Sequence, residues 1–156
     1  MALDPTARES NLRDSIKKFF VDNIARGESI PITFDRGLVN PRLQGQVTKK
    51  WVSLIFGPME RGYLSSAFLQ IYICTREDNE GFKLAQLGDK VMGILHDSNH
   101  TDGMARIPFY RSLENEPWEL IGAIVVQEVI EGGSFDIEDE TKVKLLTARL
   151  RWASKI

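Results

Sequence analysis

The chain has 156 residues, a formal net charge of −2 and one cysteine. This length suits a single domain that buries roughly two-thirds of its unfolded surface without metals or disulfides. One cysteine excludes an internal disulfide, the lack of any apolar run of about 18 residues excludes a membrane-spanning helix, and the nearly balanced charge excludes a bulk polyanion binder. No basic segment leads into an apolar run at the start of the sequence, so we expect one domain, residues 1–156, made inside the cell without a signal peptide.

The first predicted element is an amphipathic helix over about residues 6–26. Asp4 and Pro5 have the residue types of an N-cap and a first helical position, and Gly27 follows the last apolar position. Apolar residues recur at spacings of three and four along the segment: Leu12, Ile16, Phe19, Phe20 and Ile24.

Strands are predicted next. The string IPITF at 30–34 indicates a short strand, and the polar segment 35–50, with its Gly, Pro and Asn, is typical of a long loop. WVSLIF at 51–56 and SAFLQIYICT at 66–75 are rich in β-branched and aromatic residues and are separated by turn residues. They predict a hairpin.

A second helix is predicted from about 79 to 96, because the apolar residues of this segment fall on one helical stripe. ARIPFY at 105–110 indicates a short strand, and the β-like runs at 118–130 and 141–152 are joined by an acidic loop at 131–140. The elements predict an α+β fold, a mixed, mainly antiparallel sheet with two amphipathic helices packed on it and a long C-terminal β-hairpin. The LIGAIVV string of that hairpin fits a strand covered either within its own subunit or by another chain.

The junction CTREDNEGF places the cysteine beside several acids. Cys74 ends an apolar strand, and a buried thiol is a more common outcome there than a nucleophile. Glu77, Asp78 and Glu80 could hold a metal, but acids at a helix start also complement the helix dipole, and this second interpretation is favoured. Asp78 or Asn79 is the predicted cap.

Two further patterns resemble metal chemistry weakly. His96 and His100 are four residues apart, but the intervening residues favour a solvated loop over a helix that would align them. Glu140 and Lys142 match half of a metal-dependent nuclease signature, with Asp136 as a third member. A small metal-dependent nuclease is therefore one alternative function.

Charge is segregated along the chain. Between Asp35 and Glu60 every charge is positive; residues 131–140 carry five acids and no base, and residues 142–156 carry five bases and no acid. Opposite patches on one subunit suit head-to-tail contacts between copies, although solvated loops with a local bias would give the same pattern.

The order of the elements and several strings resemble the tail terminator, or tail completion, proteins of long-tailed bacteriophages. The strings are WVSLIFGP, SAFLQIYICTRED, GFKLAQLGDKVMGIL and IPFY, set between an N-terminal amphipathic helix and a C-terminal hairpin. The resemblance covers most of the chain and rests on order and spacing.

The resemblance implies a structural virion protein and no enzyme. Members form hexameric rings that cap the tail tube, end its polymerisation and present a head-joining surface. The implied partners are further copies of the chain, the tail tube protein and a head completion or connector protein, with DNA passing through the lumen without sequence-specific binding. The expected location is the head-proximal end of the virion tail, after synthesis in the host cytoplasm, with no membrane, catalytic residue, cofactor or metal. Another head–tail connector component with a different ring symmetry is a second alternative.

The charged segments supply the predicted contact surfaces. We expect the basic loop to face an acidic surface of the tube or connector, because no aromatic residues interleave its charges as in a nucleic-acid surface. We expect the acidic loop to meet a neighbouring subunit's basic C-terminal strand when the ring closes. The residues assigned to these contacts are Arg36, Arg42, Lys49 and Lys50 in the basic loop, Asp136, Ile137, Glu138, Asp139 and Glu140 in the acidic loop, and Arg149, Arg151 and Trp152 in the strand.

Overall fold

The computed structural model describes residues 9–26, 30–36, 42–43, 46–60, 64–111, 119–137 and 140–153. Within these ranges the chain forms two α-helices and eight strands. The helices are α1 (Glu9–Phe20), which continues as a π-helical turn (Val21–Ala25), and α2 (Phe82–Ile94). The strands are β1 (Ile32–Phe34), β2 (Arg42–Leu43), β3 (Gln46–Val47), β4 (Lys50–Glu60), β5 (Leu64–Arg76), β6 (Arg106–Arg111), β7 (Glu119–Ile137) and β8 (Thr141–Ala153).

One six-stranded sheet has the order β1-β4-β5-β8-β7-β6, and β2 pairs with β3 in a separate two-stranded sheet. Only β1 and β4 run parallel within the large sheet. The expected fold class, α+β with a mixed, mainly antiparallel sheet and two helices, is confirmed.

The helices and one face of the sheet enclose the main core. Strand alternation sends Leu69 and Ile71 of β5 to the same side as their register partners Ala148 and Leu146 of β8, and all four are fully buried. α2 lies close on this face, because a Cβ on Gly88 would stand 3.7 Å from the side chain of Ile73. The helices contribute these core residues: Leu12, Ile16, Phe20, Leu84, Leu87 and Val91.

The opposite face of the sheet carries a smaller cluster. Trp51, Cys74 and Val143 are register neighbours on β4, β5 and β8, and all three are fully buried. Tyr72 and Ile137 pack against them and are partly buried. This second cluster stabilises the end of the sheet where β4 begins and β5 ends.

Several predicted boundaries were wrong. The second helix begins at Phe82, three residues later than expected, because Gly81 adopts a left-handed conformation with φ 76°. The loop predicted at 131–140 is strand through Ile137, because the β8 register continues past two bulges, between Val126 and Glu128 and between Glu131 and Ser134. Gly132 fits the second bulge, since a Cβ there would lie 3.1 Å from the Leu145 carbonyl oxygen.

Candidate functional surfaces

Cys74 lies in the core and is unsuited to catalysis. Its side chain is fully buried beside Trp51 and Val143, and this burial raises the pKa of the thiol to about 12. A nucleophilic cysteine needs the thiolate near neutral pH, so Cys74 remains a protonated, inert thiol. This supports the structural interpretation of the residue.

Asp78 caps the second helix, as the sequence predicted. Its Oδ2 accepts hydrogen bonds from the backbone N–H of Leu84 at 2.9 Å and from the Thr75 hydroxyl at 3.3 Å. Burial acts to raise the pKa of Asp78, but hydrogen bonds, first those from the backbone N–H groups of Leu84 and Lys83, outweigh it and hold that pKa below its ordinary value. The carboxylate is therefore a built-in part of the fold.

An acidic pocket of about 280 Å³ lies between the end of β5 and the start of β8. Here the backbone N–H of Glu77 donates to the carbonyl oxygen of Glu140 at 3.2 Å, and both residues have positive φ. The pocket is lined by Glu77, Asp78, Asn79, Asp136, Ile137, Glu140, Thr141 and Lys142.

The structure thus gathers the three residues of the nuclease alternative, Asp136, Glu140 and Lys142, in one pocket. Lys142 Nζ lies 2.9 Å from Asp136 Oδ1, so one carboxylate is already neutralised. No group of three or more His, Cys, Asp or Glu side chains among the described residues is arranged to hold a metal ion.

The two histidines lie where the helix has ended. The Nδ1 atom of His96 is 2.7 Å from the carbonyl oxygen of Met92, and His100 Nε2 lies 3.4 Å from a carboxylate oxygen of Asp97. Each ring therefore has its own local partner, as expected for a solvated loop.

Within β7 and β8 the segregated charges pair inside the same chain. Lys144 Nζ lies 3.2 Å from Glu131 Oε1, and Arg149 Nη1 lies 3.7 Å from Glu128 Oε1, in addition to the pair of Lys142 and Asp136. Such cross-strand pairs stabilise the sheet modestly. Much of the opposite charge is therefore satisfied before any second copy arrives.

Two of the expected apolar contact residues are engaged within the subunit. The indole of Trp152 is only 4% exposed and belongs to the chain's own main core, because its strand position faces the helices. Ile137 is partly buried against the second cluster. Trp152 therefore cannot supply contact energy to a neighbour as expected, and this part of the prediction needs correction.

The remaining assigned residues are dispersed. Arg36 is exposed just after β1, Lys49 lies 3.5 Å from a carboxylate oxygen of Glu77, and Lys50 begins β4. Arg151 is exposed and makes no ion pair with a described residue. Arg42 belongs to β2, but its side chain, like the whole of Glu138 and Asp139, lies outside the described residues.

An exposed strand edge was not anticipated. β7 pairs with β6 only as far as Val125, and from Glu128 to Ile137 it pairs, among the described residues, with β8 alone. We call this segment the β7 arm. Ile130 is 56% exposed and Phe135 is 44% exposed, and their register partners Thr147 and Val143 mark the face opposite the helices. The arm combines unpaired strand backbone with exposed apolar side chains.

A second pocket, of about 250 Å³, lies beside α2 and is basic. Lys83, Gln86, Leu87 and Lys90 follow the three- and four-residue spacing of one helix face, which could be identified in the sequence. The chain brings Lys50 and Ile30 to the same pocket from outside the helix. We call it the lysine pocket.

Among the described residues no helix has the length and hydropathy needed to cross a membrane. No protein-family profile and no curated protein matches the sequence. Twelve chains of solved structures are similar to it. One of them, known only by a sequence identifier, aligns with a TM-score of 0.56 and 9% sequence identity over 92% of this chain and 97% of its own length. At that identity the similarity shows a shared fold and nothing about activity.

Proposed function

We propose that this protein is a structural component of a bacteriophage tail, whose copies form a ring that caps the tail tube, ends tube polymerisation and provides the surface that joins tail to head. The resemblance of the element order and strings to tail terminator proteins motivates the proposal. The observation that carries it is the β7 arm, because a strand edge bearing exposed Ile130 and Phe135 is a surface suited to a second protein chain.

In this proposal the long C-terminal hairpin, formed by the arm and β8, provides one side of the contact between subunits. The apolar side chains supply most of the contact energy, since exposed ion pairs contribute only about 0–1 kcal/mol each. Arg151 and Arg149 lie on the same face of β8 as the register partners of the arm, and they orient the approaching neighbour. A head-to-tail contact of this kind closes into a ring when its rotation permits.

The test replaces both exposed apolar residues of the arm, Ile130→Asp and Phe135→Asp, in one chain. We expect the variant to keep its fold, because both side chains are already exposed, but to fail to cap purified tail tubes in negative-stain images. Phe82→Asp is the matched control, because Phe82 is 67% exposed at the start of α2 and lies away from the arm. A folded double variant that still caps tubes as the control does would contradict the proposed contact.

A nuclease is the alternative that the acidic pocket favours, since Asp136, Glu140 and Lys142 meet there. It predicts magnesium-dependent cleavage of DNA by the purified protein, lost in Glu140→Ala. The structural proposal predicts no such cleavage and normal capping by Glu140→Ala.

A further inference from the structure

The lysine pocket gathers positive charge from two separate elements. Lys50 comes from the first residue of β4, while Lys83 and Lys90 come from α2, where seven residues correspond to a rise of about 10.5 Å. Leu87, which is buried, and Ile30 give the pocket an apolar wall. The charges are therefore held around a defined concavity and are not scattered over an open surface.

The cations of this pocket lack compensation. None of its described lining residues is acidic. Lys50 and Lys83 make no ion pair with a described residue, whereas Lys90 already interacts elsewhere in the chain and is not counted as a free charge. Two ammonium groups that face one pocket repel each other, and an anion between them converts that repulsion into attraction.

We propose that the lysine pocket binds a phosphate group, either as a free anion or as part of a nucleic-acid backbone. The ammonium groups of Lys50 and Lys83 supply charge-assisted hydrogen bonds, and the Gln86 amide supplies a neutral donor. The volume of about 250 Å³ lies below the roughly 300–1,000 Å³ typical of pockets for drug-sized ligands, which favours a small polar group.

Two observations favour phosphate over other partners. The acids of β7 that a second copy would offer are already paired in their own chain, as in Glu131 with Lys144 and Glu128 with Arg149. No aromatic side chain is among the described residues that line the pocket, so it offers no platform for stacking bases. Binding to a polynucleotide would therefore be independent of sequence. The inference goes beyond the proposed function and does not depend on ring formation.

The first experiment titrates the full-length protein with inorganic phosphate at constant ionic strength and follows backbone amide resonances by NMR. We expect saturable shifts centred on Lys50, Lys83 and Gln86. The variant Lys50→Ala/Lys83→Ala should bind at least about tenfold more weakly, the effect of losing one charge-assisted hydrogen bond or more. Lys49→Ala/Lys144→Ala is the control, because it removes the same charge from lysines paired with Glu77 and Glu131. It should bind as the wild type does.

A second arm uses a short DNA duplex over a series of salt concentrations. If the phosphate is that of a nucleic acid, the Lys50→Ala/Lys83→Ala variant should show a shallower salt dependence, by about 0.9 logarithmic units per lost phosphate contact. If only the free anion binds, the phosphate titration keeps its result and DNA binding does not depend on these lysines. The proposal is overturned if neither ligand shifts the pocket resonances, if the control variant loses binding equally, or if the resonances respond to protein concentration and not to phosphate.

Discussion

Asp78 offers a quantitative test of how the junction before α2 is built. Replacing Asp78 by Ala removes a buried charged acceptor from the Leu84 N–H and the Thr75 hydroxyl. Losing an N-cap type of bond together with a hydrogen bond to a charged group should lower the free energy of unfolding by about 2–3 kcal/mol. For a chain of this size that corresponds to a fall in Tm of about 4–12 °C.

The same replacement predicts a pH dependence. The pKa of Asp78 is lowered in the folded state, so its stabilisation is fully present above the unfolded-state value of about 3.9 and is lost as the pH falls through the folded-state pKa. Urea denaturation of wild type and Asp78→Ala should therefore give a constant difference from neutral pH down to about 5, which shrinks at lower pH.

Glu80→Ala is the control for Asp78→Ala, since Glu80 is an exposed acid of the same junction. Its effect should stay within about 0.5 kcal/mol. If Asp78→Ala changes stability no more than Glu80→Ala, or if its effect persists unchanged at the lowest pH, the capping role assigned to Asp78 is refuted.

Two further predictions concern the cysteine and the basic strand. Because burial raises the pKa of Cys74 to about 12, against about 8.5 in an unfolded chain, the wild type should lose about 2 kcal/mol relative to Cys74→Ala between pH 8 and 10, measured by urea denaturation; parallel stability curves would contradict this. Reversing Arg149 and Arg151 to Glu should leave the monomer folded but reduce ring formation on tail tubes, most at low salt, with partial recovery when acids of β7 are changed to Lys in the same chain; equal ring formation at low and high salt would exclude the contact.

The sequence predicted most of the fold because local periodicity is strong in the core elements. The apolar alternation of 66–75 and the helical stripe after residue 79 survive as β5 and α2. α1 shows where local patterns fail. Leu12, Ile16, Phe20 and Ile24 are each four residues apart, which drifts by about 40° per step on an ideal α-helix. The π-helical turn at Val21–Ala25 has more residues per turn and keeps Ile24 buried, at 1% exposure.

The candidate sites were less predictable because they depend on long-range pairing. The acids and glycines of 131–137 have the composition of a loop, and only the register with β8 makes them strand. The lysine pocket joins Lys50 to Lys83 across a separation that no local pattern encodes. The charge blocks were visible in the sequence, but whether they pair within a chain or between chains follows from strand order alone.

The bulge at Gly132 has a consequence for how the protein behaves at high concentration. A flat, bare strand edge accepts almost any other strand and so can nucleate fibres. The two bulges interrupt the β7 arm and increase its local twist, so a partner strand must match that kink in order to pair along its length. Adding a side chain at Gly132 would press against the Leu145 carbonyl oxygen and disturb this shape. The bulge thus acts as a filter against indiscriminate aggregation while leaving the edge open to a partner of complementary curvature.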